Sequence, residues 1–111
     1  MVRPPFAGEP SFAKYEQEKN AILASLKRRA LKLGNAFNQM EGVTCNAADG
    51  SMYLFPQIRL PAKAVQAAAP APADEFYCLK MVEETGVVTV PGSGFGQRDG
   101  TYHFRTTFLP P

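Results

Sequence analysis

The residues best suited to chemistry lie near the end of the chain. They are the run Val90-Pro91-Gly92-Ser93-Gly94-Phe95-Gly96-Gln97 and, just after it, Thr101-Tyr102-His103-Phe104-Arg105-Thr106-Thr107. Gly92, Gly94 and Gly96 give the first run a backbone that can take positive φ and approach a ligand closely. A compact loop feeding one placed cation, Arg105, can form a wall of a pocket for a small anion. The loop lacks the Gly-Lys-Ser/Thr ending of a phosphate-binding P-loop, and it precedes a strand instead of opening a helix. Taken alone it reads first as a tight turn, the ordinary meaning of Gly and Pro clusters.

Arg105 is the sharpest single candidate. A guanidinium on a polar strand face can hold a carboxylate through two parallel hydrogen bonds. A surface salt bridge is the competing reading, slightly favoured by the residues alone. His103 lies on the same face and could act as a base, although a lone histidine is more often a polar or packing residue. Lys27-Arg28-Arg29-Ala30-Leu31-Lys32 could touch nucleic acid, but no aromatic stacking platform accompanies it, and a solvated helix face is the better reading. Cys45 or Cys78 as a nucleophile would need a neighbouring base, and none can be placed. Tyr53 and Phe55 read as core and pocket wall.

The elements that must position these residues are bounded by composition. A chain of 111 residues is one domain at most, or a piece of one. A formal charge of +2 is too small to argue for nucleic acid or a membrane surface. No apolar run approaches the roughly 20 residues that span a bilayer, and Met1-Val2-Arg3-Pro4-Pro5 is no signal peptide. Two distant cysteines and one histidine make neither a zinc framework nor a disulfide scaffold. Free thiols in a reducing, intracellular compartment are the expectation.

Residues 1–10, rich in Pro and Gly, are expected to run extended over a surface. Ser11 reads as an N-cap. Phe12, Tyr15, Ile22, Leu26, Ala30, Leu33, Phe37 and Met40 then form one stripe of a long helix, with a kink or break allowed at Gly34 and a stop at Glu41-Gly42. About 29 residues give roughly 44 Å, longer than a free-standing domain of about 35 Å diameter. Such a helix packs along something larger, so the chain reads as a fragment or subdomain. Val43–Cys45 is a short strand and Asn46–Gly50 a turn. Ser51–Ile58 is a strand whose end Pro56 demotes to an edge or bulge. Ala62–Ala69 forms a short helix, Pro70–Ala73 a linker, and Asp74 caps a second amphipathic helix that ends at Thr85-Gly86. Val87–Val90, all β-branched, reads as a buried strand. In the last strand Thr101, His103, Arg105 and Thr107 point one way, and Tyr102, Phe104, Thr106 and Phe108 the other. The fold class is α+β: a long N-terminal helix and a small, mostly antiparallel sheet covered by helices on one side.

Several runs resemble the C-terminal part of the alanine aminotransferases, a branch of the fold-type I aminotransferases. They are Pro4-Pro5, Gly8-Glu9-Pro10-Ser11, Cys45-Asn46, Gly50-Ser51-Met52-Tyr53, Phe55-Pro56, Glu83-Glu84-Thr85-Gly86, Val90 to Gln97, Gly100-Thr101-Tyr102-His103-Phe104-Arg105 and Leu109-Pro110-Pro111. The resemblance runs from end to end. The Pro-Gly-Ser-x-Phe-Gly run with a later Phe-Arg is shared by many fold-type I aminotransferases. The fuller run through Gly-Thr-Tyr-His-Phe-Arg is more specific to the alanine branch.

The resemblance implies a pyridoxal phosphate enzyme moving an amino group between alanine and 2-oxoglutarate. Its partners would be amino-acid and 2-oxo-acid substrates and a second copy of the complete enzyme, with no nucleic acid and no membrane. Arg105 matches the arginine that binds the substrate α-carboxylate, with Gly92, Ser93, Gly94, Phe95 and Gly96 shaping the pocket floor. Residues 11–111 would be an incomplete C-terminal small domain that closes on substrate, preceded by the segment 1–10. No catalytic, cofactor-binding or metal residue is assigned. The family's Schiff-base lysine sits in a Ser-Lys-Gly context upstream of Met1. Lys14, Lys19, Lys27, Lys32, Lys63 and Lys80 lie on helices or linkers with no phosphate-binding residues near them, and no aspartate can be assigned to the pyridine nitrogen. Met1-Val2 matches an interior position of the family, a final helix is expected beyond Pro111, and Ser51 replaces the usual alanine. The expected compartment is the cytoplasm or mitochondrion. A glutamate–glyoxylate relative, or a truncated, non-catalytic binding or dimerisation module, are the alternatives.

Overall fold

The computed structural model describes residues 3–110. Its elements are α1 (Phe12–Gln39), β1 (Val43–Thr44), β2 (Tyr53–Leu54), β3 (Gln57–Ile58), α2 (Ala62–Ala68), α3 (Ala73–Thr85), β4 (Val90–Pro91), a single 3-10 turn (Gly92–Phe95) and β5 (Tyr102–Thr107). All strand pairs are antiparallel, in the order β1-β3-β5-β2, with β4 also on β5. The last strand is therefore the hub of the sheet. It pairs with β3 through Tyr102 and His103, with β4 through Phe104 and Arg105, and with β2 through Thr106 and Thr107.

The expected strand over Ser51–Ile58 is interrupted in its middle. Tyr53 lies opposite Thr107, and Ile58 opposite Tyr102, with no slip of register across the break. The interruption falls at Phe55-Pro56 because proline has no N–H to give the ladder. Its carbonyl still accepts from the Phe104 N–H at 3.2 Å, which keeps the two short strands on one path.

Side-chain alternation along β5 separates core from site. Phe104, 4% exposed, is in the core with Ile58 and Cys78. Phe37 of α1 meets its ring edge-on at 5.7 Å, and Tyr77 of α3 stacks on it at 6.0 Å. Both helices thus cover one face of the sheet, as expected, and leave the other face to Arg105 and His103.

Helix α1 runs unbroken through Gly34. Its C-terminal half is half-buried along the predicted stripe, whereas Tyr15, Ile22 and Leu23 are exposed. The chain measures 62 × 32 × 27 Å with a radius of gyration of 18.6 Å, against about 13 Å for a compact domain near this size. The overhang predicted from helix length is present. No helix of the described residues is long and apolar enough to cross a membrane.

Four local expectations are corrected. Ser11 does occupy the N-cap position, its carbonyl accepting the Tyr15 N–H at 3.0 Å, but its backbone is already in the α region (φ −86°, ψ −7°) and its side chain makes no capping hydrogen bond. The chain enters α1 through a turn instead, with Glu9 N–H donating to the Phe6 carbonyl and Phe12 N–H to the Glu9 carbonyl, both at 3.0 Å. The leading segment is consequently folded back, not extended. Arg3 pairs with Glu9 at 2.6 Å, and that guanidinium, helped by the Phe6 N–H, holds the Glu9 carboxyl below its usual range. Residues 1–2 lie outside the described residues.

Val87 and Val88 are exposed, Val88 by 76%, and only Val90–Pro91 is paired. β-branching favours an extended backbone, but it cannot supply a partner strand. Thr85 Oγ1 takes the Val87 N–H, and Thr89 is the one inward-facing residue of the run. Asp74, by contrast, is not at a cap position. The N-cap is Pro72, and Asp74 sits inside the first turn of α3, almost wholly buried.

Candidate functional site

The sheet face opposite the core carries an aromatic cluster built by three segments. Tyr53 comes from β2, Phe55 from the proline break, and Phe95 from the end of the 3-10 turn. Arg105 stands among them. Its guanidinium carbon lies 4.3 Å from the Phe95 ring centroid and 4.5 Å from that of Tyr53. A planar guanidinium stacks well on aromatic faces, and stacking uses its faces, not its N–H edge. Among the described residues Arg105 makes no ion pair and no side-chain hydrogen bond. The competing salt-bridge reading has no partner there. The side chain is half-buried and its donors are available to a carboxylate.

His103 is held as a packing residue. Its ring stacks on Phe55 at 4.8 Å with 5° between the planes, and Gln97 Oε1 sits 3.1 Å from Nδ1 and 3.0 Å from the His103 N–H. Phe55 in turn meets Phe95 edge-on at 6.3 Å. These contacts link His103 to the wall beside Arg105.

The glycine loop is a compact turn, and its residues differ in what they do. A Cβ on Gly92 would lie 2.8 Å from His103 Cβ and 2.9 Å from the His103 carbonyl oxygen. The absence of a side chain there lets the turn press against β5. Gly96 has φ +77°, a conformation natural only to glycine. Gly94 has open space around it. The Ser93 N–H does not face outwards for a ligand: it donates to Asp74 Oδ2 at 2.7 Å. We predict that Gly92→Ala lowers stability by about 1–3 kcal/mol in denaturant unfolding, because strand backbone must give way. Gly94→Ala should change it little. Equal effects at the two positions would contradict this packing.

The remaining candidates are placed elsewhere. Arg29 Nη1 donates to the carbonyls of Leu109 and Pro110, at 2.5 and 2.6 Å, so this member of the basic run straps the chain's end to α1. Burial pushes the Cys78 thiol up, with a smaller push from nearby Asp74, and burial also raises Cys45. Neither thiol is prepared as a nucleophile. A groove of about 760 Å³ lies between α1 and residues 45–52, lined by Leu23, Leu26, Leu31, Leu54 and Phe108 among others, and Arg105 is not part of it. Lys14 pairs with Glu18, Lys19 with Glu16, and Lys80 with Glu83.

Sequence reasoning missed Asp74. Its position just after Pro-Ala signals a helix start, and nothing local signals a partner 19 residues on. It also left the stacking of Phe55 on His103 unread.

No family model matches the chain. Curated relatives do. It is 61% identical over 113 residues to a protein of Dictyostelium discoideum named probable mitochondrial alanine aminotransferase, covering 99% of this chain and 21% of that one. It is 53% identical over 112 residues to glutamate–glyoxylate aminotransferase 2 of Arabidopsis thaliana, covering 99% and 23%. Among solved structures, the alanine aminotransferase from Pyrococcus furiosus superposes with a TM-score of 0.68 at 31% identity, over 88% of this chain and 22% of that one. The chain thus spans about a fifth of the length of the relatives it matches.

Proposed function

From a chain related along its whole length to one part of the alanine aminotransferases, we infer that these residues serve as the C-terminal small domain of a pyridoxal-phosphate-dependent aminotransferase. The reaction moves an amino group between L-alanine and 2-oxoglutarate. Residues 11–111 are the domain and 1–10 its leading segment. Arg105 binds the substrate α-carboxylate. The observation that carries this is the Arg105 guanidinium held against Phe95 and Tyr53 with its N–H donors uncommitted.

The chemistry suits the arrangement. Amino acids and 2-oxo acids share the α-carboxylate, so one arginine serves the amino donor and the acceptor. The aromatic wall removes water from around the guanidinium and strengthens its hold on an anion. Gly92 to Gly96 shape the floor beside it.

The residues described here do not themselves suit the cofactor. Three of the lysines are paired on helix surfaces, and the Ser93 N–H of the glycine loop is taken by a carboxylate of the chain. No step is assigned to the cofactor on this chain. The working enzyme is a homodimer of the cytoplasm or the mitochondrion, the latter being the compartment in the name of the Dictyostelium relative.

A second reading is favoured by the 53% identity to a glutamate–glyoxylate aminotransferase. Arg105 would serve that reaction equally.

The test is turnover. We predict that the 111-residue chain alone shows no transamination of L-alanine with 2-oxoglutarate at any pyridoxal phosphate concentration. The same residues within a chain that supplies the cofactor-binding lysine are active. Measurable turnover by the 111 residues alone would overturn the small-domain reading.

A further inference from the structure

Asp74 is the most buried ionisable side chain described, 1% exposed. It lies in the first turn of α3, where the aligned peptide dipoles favour a negative charge. One carboxylate oxygen, Oδ2, accepts the Ser93 N–H at 2.7 Å, and Oδ1 has no hydrogen-bond partner. Burying a polar oxygen without a partner is costly, and a small apolar residue would avoid the cost. What Asp74 holds explains its presence. Ser93 is the second residue of the 3-10 turn, and Phe95 is the last. The Phe95 ring lies 4.3 Å from the Arg105 guanidinium carbon. No other side-chain hydrogen bond ties the turn to α3 among the described residues.

We propose that Asp74 is a positioning residue for the carboxylate site, fixing the turn through Ser93 so that Phe95 holds Arg105 in its binding orientation. It touches neither substrate nor cofactor. The inference rests on the reading of Arg105 as the carboxylate-binding group, and it adds an element on the far side of the loop. The buried carboxylate anchors the turn, the turn carries the ring, and the ring sets the plane of the guanidinium. With the anchor gone the turn keeps the packing of Gly92 on β5 and of Phe95 on Phe55 but loses its side-chain tie to α3, and Arg105 samples other rotamers. A fork that must meet two carboxylate oxygens at once is sensitive to such disorder.

The test compares Asp74→Ala with Asp74→Asn in the active enzyme that contains these residues. Asparagine keeps an oxygen for the Ser93 N–H and alanine does not. For Asp74→Ala we expect KM for L-alanine to rise about 10-fold or more with little change in kcat, the signature of lost binding common to ground and transition states. Asp74→Asn should retain most of the wild-type KM. A second readout needs no activity. The rate at which phenylglyoxal labels Arg105, followed by peptide mass spectrometry, should rise several-fold in Asp74→Ala, towards the rate at Arg98 in the same sample. Should Asp74→Ala fail to fold, Asp74→Ser, whose hydroxyl is one bond too short to reach Ser93, takes its place. Unchanged KM and unchanged Arg105 labelling in a folded variant, even one of lower Tm, would overturn the proposal and leave Asp74 a purely structural residue. If the unmutated enzyme fails to use alanine, the functional reading falls, and the labelling rate alone decides the role of Asp74.

Discussion

Replacing Arg105 with lysine in the active enzyme is expected to lower kcat/KM for L-alanine by about 10- to 150-fold, or roughly 1.5–3 kcal/mol of binding to the reacting substrate. Lysine keeps the charge, so the loss isolates what is special to the guanidinium. One part is the second hydrogen bond of the fork. The other is the stack against Phe95 and Tyr53, 4.3 and 4.5 Å away, which an ammonium on a flexible stem does not reproduce. Because every substrate presents the same α-carboxylate, the loss should be similar for alanine, glutamate and their 2-oxo acids. A kcat/KM unchanged in Arg105→Lys would refute the assigned role. A loss confined to one substrate would move Arg105 to side-chain recognition.

Phe104→Ala should cost about 3–5 kcal/mol of stability, the range for deleting a buried aromatic ring, and lower the unfolding midpoint by about 10 °C or more for a domain of this size. Phe104 is 4% exposed and packs between Phe37 of α1 and Tyr77 of α3. It also belongs to the one strand that pairs with β2, β3 and β4. Loss of its ring therefore loosens both helices from the strand that carries Arg105 one residue later. Circular dichroism melts of wild type and variant measure the effect. A change under about 1 kcal/mol would mean that the core collapses around the gap far better than such cores do.

Phe104 and Arg105 were readable as a pair from sequence because a strand has a period of two. Once residues 101–108 are extended, one face must be mostly apolar and the other polar. The same is true of α1, whose stripe at Leu26, Ala30, Leu33 and Phe37 is half-buried as the spacing requires. The misreadings concern partners, not propensities. Val87–Val90 has the composition of a buried strand, but most of it has no strand beside it here. Pro56 was legible as an interruption, and its place in mid-strand depends on β5 lying opposite. Ser11 sits at the N-cap as its type requires, but its hydroxyl caps nothing, and the chain before it is closed by a local turn at Glu9 that Ser11 itself does not signal. Asp74 is the clearest case. Its carboxylate is committed to an N–H 19 residues away, a separation no local pattern encodes. The stacking of Arg105 on Phe95 is of the same kind, since the loop between them has to fold before the two side chains can meet. The family resemblance implies a carboxylate pocket at Arg105. The aromatic rings show how its orientation is held.

The most direct test of the central claim is ligand protection of Arg105 in the active enzyme. Phenylglyoxal modifies accessible arginines, and peptide mass spectrometry reads Arg3, Arg28, Arg59, Arg98 and Arg105 separately, so the other four serve as internal controls. Saturating L-alanine or 2-oxoglutarate is predicted to slow labelling of Arg105 about 10-fold, the expectation for a guanidinium whose fork is occupied by a carboxylate, while the controls are unchanged. Arg105 labelling at the same rate with and without either substrate, in an enzyme that is turning over, would contradict the assignment.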